Sequence, residues 1–320
     1  MSQLEVRMLG RLTVKRDGQK VDLLGAKSQE LFCYLLLNRH QVHSRESLSE
    51  VLWEPRSTAH PRKYLRQALW QLQTALDSHR AAGERSLLHV EPDWIYVEPE
   101  SPVWIDTAVL ERAFGLAQGV PGNELTVQSV QALHEATSLY AGNLLIGEYH
   151  DWCILERERL ESTYLALLDK LIDYCEWHHE YEAGLVYADR ILRHDRAREQ
   201  THRRIMRLHF LAGDRATALR QFERCAAALR EELSVRPSAR TMELYRQIQS
   251  DQLNAPPVTP HVRVVTADGS LPEMLSHLRQ IESMVADLHL LVQREINLVE
   301  QALHQRIGLN DESTLHRNPV

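Results

Sequence analysis

The 320-residue chain has no run of about 18 apolar residues, so it offers no candidate for a membrane-spanning helix. Its start, Met1-Ser2-Gln3-Leu4-Glu5, has neither a signal peptide's basic and apolar regions nor a transit peptide's Arg- and Ser-rich character. The four cysteines, Cys33, Cys153, Cys175 and Cys225, are far apart and never form C-x-x-C. That argues against a disulfide or zinc framework and for reduced, buried thiols, hence a cytoplasmic chain. No G-x-x-x-x-G-K-[ST] occurs, and Gly25-Ala26-Lys27 is not one, so nucleotide hydrolysis is not indicated. The run His178-His179-Glu180-Tyr181-Glu182-Ala183 lacks the second histidine of H-E-x-x-H, because Ala183 stands in its place. His150-Asp151 and His194-Asp195 fall at expected helix junctions, where such pairs cap helix ends. No catalytic residue, metal or cofactor is expected.

Length allows about two domains with separate cores. The net charge of −7 is unevenly spread. Residues 1–100 hold 14 Lys+Arg against 13 Asp+Glu, residues 101–250 hold 18 against 22, and residues 251–320 hold 5 against 9. The acidity lies outside the first hundred residues, and any attraction there for a polyanion must come from a local patch.

One segment has such a patch. In Arg62 to Leu76, residues Leu65, Leu69, Leu72 and Leu76 fall within about 60° of one another on a helical wheel, flanked by Ala68 and Ala75. Lys63, Arg66, Gln67, Trp70 and Thr74 lie opposite, with Arg62, Gln71 and Gln73 at the margins. This outer face carries cations, amides and an aromatic but no carboxylate, a composition suited to the base edges and phosphates of a nucleic acid. A merely solvated basic helix is the plainer alternative.

The surroundings favour the first reading. Leu4–Gly10 and Arg11–Lys15 alternate as half-buried strands, Asp17-Gly18 signals a turn, and Val21-Asp22-Leu23 is a further short strand. A helix follows from Ser28, with Leu31, Tyr34, Leu35 and Asn38 in line. A short helix then runs from its N-cap Ser44 to Pro55. Pro61 sits at the first turn of the basic-faced helix. Leu87–Val90 and Trp94–Val97 flank Glu91-Pro92-Asp93 as a hairpin. Sheet, helix, short helix, long helix and hairpin is the layout of a winged helix, whose third helix can enter a major groove. Candidate DNA contacts are Arg62, Lys63, Arg66, Gln67, Trp70, Gln71 and Thr74 on that helix. Arg45, at the start of the second helix, is a phosphate candidate and His89 in the hairpin a weaker one. Trp70 fits a thymine methyl or a neighbouring helix equally well.

From Trp104 to Leu253 only helices are expected, one opened by Asp106-Thr107 with Val109, Leu110 and Phe114, then others over about 130–140, 151–178, 181–193, 198–212, 215–233 and from 238. Tyr181-Glu182-Ala183-Gly184-Leu185 and Asp214-Arg215-Ala216-Thr217-Ala218-Leu219 are related segments at a spacing of 33 to 34, which suggests tetratricopeptide-like pairs with a concave surface for a protein segment. Residues 254–272 read as a linker rich in Pro. Beyond it, Leu271, Leu278, Val285, Val292 and Val299 recur every seventh residue, with Leu275, Ile281, Leu288, Ile296 and Leu303 three or four after them. A long helix over 273–307 is expected. Its stripe, with Leu278, Val285, Leu288, Val292 and Val299 as contact candidates, suits self-association or docking onto the helical domain.

Several separated motifs carry a family resemblance. The first part has Leu48-Ser49-Glu50-Val51-Leu52-Trp53 and Leu65-Arg66-Gln67-Ala68-Leu69-Trp70-Gln71-Leu72. The second has Ile105-Asp106, Leu139-Tyr140-Ala141-Gly142-Asn143-Leu144-Leu145 and Asp151-Trp152 with Glu156-Arg157-Glu158-Arg159-Leu160. Further on come Gly213-Asp214-Arg215-Ala216-Thr217-Ala218-Leu219 and Glu231-Glu232-Leu233-Ser234-Val235-Arg236-Pro237-Ser238. Over residues 4 to 250 the chain resembles the antibiotic regulatory protein family of bacterial transcription activators. The resemblance implies an α+β winged helix-turn-helix (1–100) and an all-α tetratricopeptide-like bacterial transcriptional activator domain (101–253); the long C-terminal helix is a departure, not part of the short family form. It also implies binding of double-stranded promoter DNA, often by two protomers on repeated sites, contact with RNA polymerase and a nucleoid-associated location. Family members usually carry basic residues where this chain has Gln73 and Thr74, so affinity here leans on pairing of protomers. The alternative is a scaffold whose winged helix binds protein.

Overall fold

A computed structural model describes residues 4–23, 25–53, 60–78, 86–99, 101–148 and 150–252. The linker at 254–272 and the helix expected over 273–307, with Leu278, Val285, Leu288, Val292 and Val299, lie outside the described residues.

Strands β1 (Leu4–Arg7) and β2 (Thr13–Arg16) pair antiparallel with Val6 opposite Val14. The turn between β2 and β3 (Gln19–Lys20) places Asp17 at φ 50° and Gly18 at φ 79°. Two successive positive φ values are the signature of a type I′ hairpin turn, which is why Asp-Gly is found there. The third strand therefore begins two residues earlier than the apolar Val21 suggests, and Val21 instead donates its N–H to the Val14 carbonyl. A strand that the helical pattern after Trp104 did not announce, β7 (Val103–Ile105), lies parallel to β1 with Ile105 opposite Val6.

Three helices follow the sheet. α1 (Ala26–Leu37) buries Leu31, Phe32, Cys33, Leu35 and Leu36. α2 (Arg45–Leu52) is capped by Ser44, whose hydroxyl accepts from the Ser47 N–H at 3.0 Å. α3 (Pro61–Asp77) starts on proline and buries Leu65, Ala68, Leu69, Leu72 and Leu76. Hairpin strands β5 (Leu88–Val90) and β6 (Trp94–Val97) take β4 (His43–Ser44) as a third, antiparallel strand, with His43 opposite Ile95. The chain just before α2 is thereby fixed to the hairpin.

The remaining helices are α4 (Asp106–Ala117), α5 (Val127–Ser138), α6 (Asp151–Trp177), α7 (Tyr181–His194), α8 (Glu199–Leu211), α9 (Arg215–Leu233) and α10 (Ala239–Gln249). α5 starts three residues before the expected Val130, because the Thr126 hydroxyl accepts from the Ser129 N–H and caps it there. The small residues of the related segments sit at close helix contacts. A Cβ on Gly184 would lie 3.1 Å from Leu208 Cδ1 and 3.2 Å from Cys175 Cβ, and Ala218 is fully buried with Met206 and Ile248.

One continuous apolar core runs from Leu4 to Leu208. The family-like motifs tie its parts together. The Leu9 and Leu144 backbones form a β-bridge, Leu145 N–H donates to the Met8 carbonyl, and Ile146 N–H to that of Gly10. Arg157 donates to the Leu144, Leu145 and Glu148 carbonyls, holding the 144–148 segment against α6. Glu30 of α1 is buried, accepts from Trp152 Nε1 at 3.2 Å and from Lys27 Nζ at 2.7 Å, and lies 3.2 Å from His150 Nε2. All four cysteines are buried and unbridged.

Candidate nucleic-acid interface

The leucine stripe sets the orientation of α3. Because those side chains pack on α1 and α2, the opposite side of the helix faces water, and Arg62, Lys63, Arg66, Gln67, Trp70 and Thr74 are all exposed. Trp70 is 66% exposed, so among the described residues no neighbouring helix covers it.

The N-terminal half of α3 meets α2 and the hairpin. Lys63, Arg66 and Arg62 line a groove of about 410 Å³ with Ser44, Arg45 and Glu46 on one side and Pro92, Asp93 and Trp94 of the hairpin turn on the other. The carboxylates absent from the helix's own face enter from its neighbours. Glu46 Oε1 lies 3.1 Å from Arg62 Nη2, both ends well exposed, and Asp93 is part of the lining. Four cations then stand against two acids, a modest local excess of the kind the nearly neutral first hundred residues permit.

Two candidates also make hydrogen bonds inside the domain. Gln71 is half-buried, and its Oε1 accepts from the Ser28 hydroxyl at 2.8 Å, fastening α3 to the first turn of α1. Arg45 donates to the Glu91 carbonyl from Nε at 3.1 Å and Nη2 at 2.9 Å, while its N–H donates to the Asp93 carbonyl. It braces the hairpin turn onto α2. Thr74 donates its hydroxyl to the Trp70 carbonyl one turn back, which leaves it as an acceptor. His89 is not brought into the groove. Its ring stacks on Tyr96 with centroids 5.0 Å apart, and Nε2 lies 2.7 Å from Glu98 Oε2.

Trp94, which the sequence reading places in the hairpin but not among the contacts, lines the same groove, and Tyr64 is exposed at the margin of α3. Trp94 is 48% exposed and Tyr64 44%. Trp94 was legible: in Trp94-Ile95-Tyr96-Val97 the buried Ile95 and Val97 alternate with outward residues. Among the described residues no group of three His, Cys, Asp or Glu side chains is placed to hold a metal ion, and no helix is long and apolar enough to cross a membrane.

Residues 105–249 match the family model described as the bacterial transcriptional activator domain. The matched stretch carries the motifs from Ile105-Asp106 to Gly213–Leu219 and Glu231–Ser238, and it supports the resemblance to the antibiotic regulatory protein family over that part of the chain. Among solved structures it is similar to Mycobacterium tuberculosis EmbR in complex with a low-affinity phosphopeptide, at 19% identity, covering 80% of this chain and 67% of that one with a TM-score of 0.56. At that identity the likeness concerns the fold. No curated protein matches the sequence.

Proposed function

We propose that the first domain is a winged helix-turn-helix that binds promoter DNA, with α3 in the major groove and the 91–94 turn against the backbone beside it. The observation that carries this reading is the outward face of α3, where Lys63, Arg66, Gln67, Trp70 and Thr74 are all exposed over a fully buried leucine stripe. Arg66 and Gln67 suit bidentate contacts to guanine and adenine, Trp70 suits a thymine methyl, and Arg62 and Lys63 suit phosphates. With only a small excess of positive charge, one protomer gains little from counterion release, so two protomers on a repeated site are needed for tight binding. The seven-residue stripe at Leu278, Val285, Leu288, Val292 and Val299 is the segment we assign to pairing, and RNA polymerase is the partner recruited, in the cytoplasm at the nucleoid.

Selection of DNA from a random pool by the full chain tests the reading, with enrichment of a repeated motif as the expected result. No enrichment favours the alternative, a protein-binding winged helix, which the exposed rings of Trp70 and Trp94 also suit. Truncation after Leu253 followed by light scattering tests pairing; an unchanged oligomer rejects the role of the tail.

A further inference from the structure

α7 and α9 both pack against α8, and between them runs an open trough of roughly 630 Å³. Its floor is apolar, with Leu185 and Leu192 of α7, Ile205 of α8 and Ala228 of α9. Two buried polar residues in it are satisfied internally. His202 Nε2 is 2.9 Å from the Arg196 carbonyl and Nδ1 is 2.8 Å from the Gln221 side-chain amide, so Nδ1 accepts, Nε2 donates and the ring is neutral. Burial also holds the His202 pKa below its ordinary value. The floor therefore offers a neutral, largely apolar strip.

The rim is different. Arg193, Arg196 and Arg224 line it with Asp189 as the one acid of the lining itself, and Glu231 and Glu232 lie beside Arg196 just outside it. Arg193 is held by Asp189 at 2.7 Å. Arg196 reaches Glu231 and Glu232 only at 3.8 and 3.7 Å, and Arg224 reaches Gln221 Oε1 at 3.4 Å. Neither of those two guanidinium groups is held by a carboxylate at close hydrogen-bond distance, and carboxylates match their fork geometry.

We infer that this trough, lined by α7, α8 and α9, binds an acidic amphipathic helix of a partner protein. The occupant's apolar side chains lie on Leu185, Leu192 and Ile205, and its carboxylates pair with Arg196 and Arg224. Charge complementarity selects the acidic partner. The openness of the rim, with Arg193 75% and Arg196 67% exposed at the side chain, selects a peptide over a small anion, which needs an enclosed site.

The test titrates the full-length protein into a labelled synthetic peptide of about 14 residues, the length of α7, with leucines at i, i+3, i+4 and i+7 and glutamates between them. The same composition with the period scrambled, a version with lysines for glutamates, and glutarate as competitor are the comparison arms. Anisotropy is expected to show the acidic amphipathic peptide binding about tenfold or more tightly than either comparison peptide, a difference of about 1.4 kcal/mol. Arg196→Glu with Arg224→Glu should abolish that preference and favour the lysine peptide, while Arg240→Glu on α10 changes nothing. Retained binding by the double variant, equal binding of the scrambled peptide, or displacement by glutarate each overturns the inference. DNA affinity of the double variant should be unchanged, so the outcome is independent of the DNA reading.

Discussion

Asp106 and Leu9 are 97 positions apart in the chain, yet the Leu9 N–H donates to Asp106 Oδ2 at 2.8 Å. The same carboxylate accepts from the Met8 N–H at 3.0 and 2.8 Å and from the Thr107 N–H at 2.8 Å. It is 1% exposed and joins the end of β1 to the start of α4, satisfying strand N–H groups that have no ladder partner there. This accounts structurally for the Ile105-Asp106 motif.

Asp106→Asn turns one acceptor into a donor facing backbone donors, so it should destabilise the chain by about 1–3 kcal/mol in urea unfolding. The variant should also change the pH dependence. Burial raises the Asp106 pKa against the pull of the Leu9, Met8 and Thr107 N–H groups. A raised folded pKa means the native state binds more protons, so this group's contribution is full at low pH and declines as pH rises through its folded pKa. The asparagine chain should lack that decline.

Glu111 runs the opposite way. Burial raises its pKa, but Arg39 at 2.8 Å and Arg159 at 2.7 Å outweigh burial and leave it below the ordinary carboxylate value. Its contribution is present above the unfolded pKa and lost as pH falls through the lowered folded one. Glu111→Gln should therefore flatten the acid limb of a stability–pH curve measured by circular dichroism.

On the proposed DNA face the two central amides should separate cleanly. Gln67→Ala should lose about 1–3 kcal/mol of specific DNA affinity, with discrimination relaxed at one base pair and little change in stability. Gln71→Ala removes the acceptor for Ser28 and should lower stability by about 1 kcal/mol with specificity kept. Arg66→Ala should behave like Gln67→Ala, and an anisotropy titration with unchanged affinity rejects its role.

Glu46→Gln removes a carboxylate from the groove. DNA binding should tighten several-fold at low salt and the gain should shrink as salt rises. The Arg62–Glu46 pair itself, exposed at both ends, should contribute no more than about 0.5 kcal/mol in a double-mutant cycle.

Gly184→Val places side-chain atoms where a Cβ alone would already lie 3.1 Å from Leu208 Cδ1 and 3.2 Å from Cys175 Cβ. A loss of about 1–3 kcal/mol in thermal or urea unfolding is expected, with DNA affinity per folded molecule unchanged.

Much of this was legible from local pattern. The spacing of Leu65, Leu69, Leu72 and Leu76 determined the buried side of α3, since a helix repeats every 3.6 residues whatever it packs against. Ser44, Pro61 and Asp17-Gly18 marked their boundaries because capping, a missing N–H and positive φ are properties of one or two residues. What tertiary structure alone decided is which polar groups remain available. Gln67 and Gln71 are both candidates on the wheel, but Gln71 accepts from Ser28, 43 residues away; Arg45 gives two of its donors to Glu91, 46 residues away; and Glu46 enters a face that has no acid of its own. Hydrogen-bond partners depend on where distant segments meet, and no period within one helix encodes that.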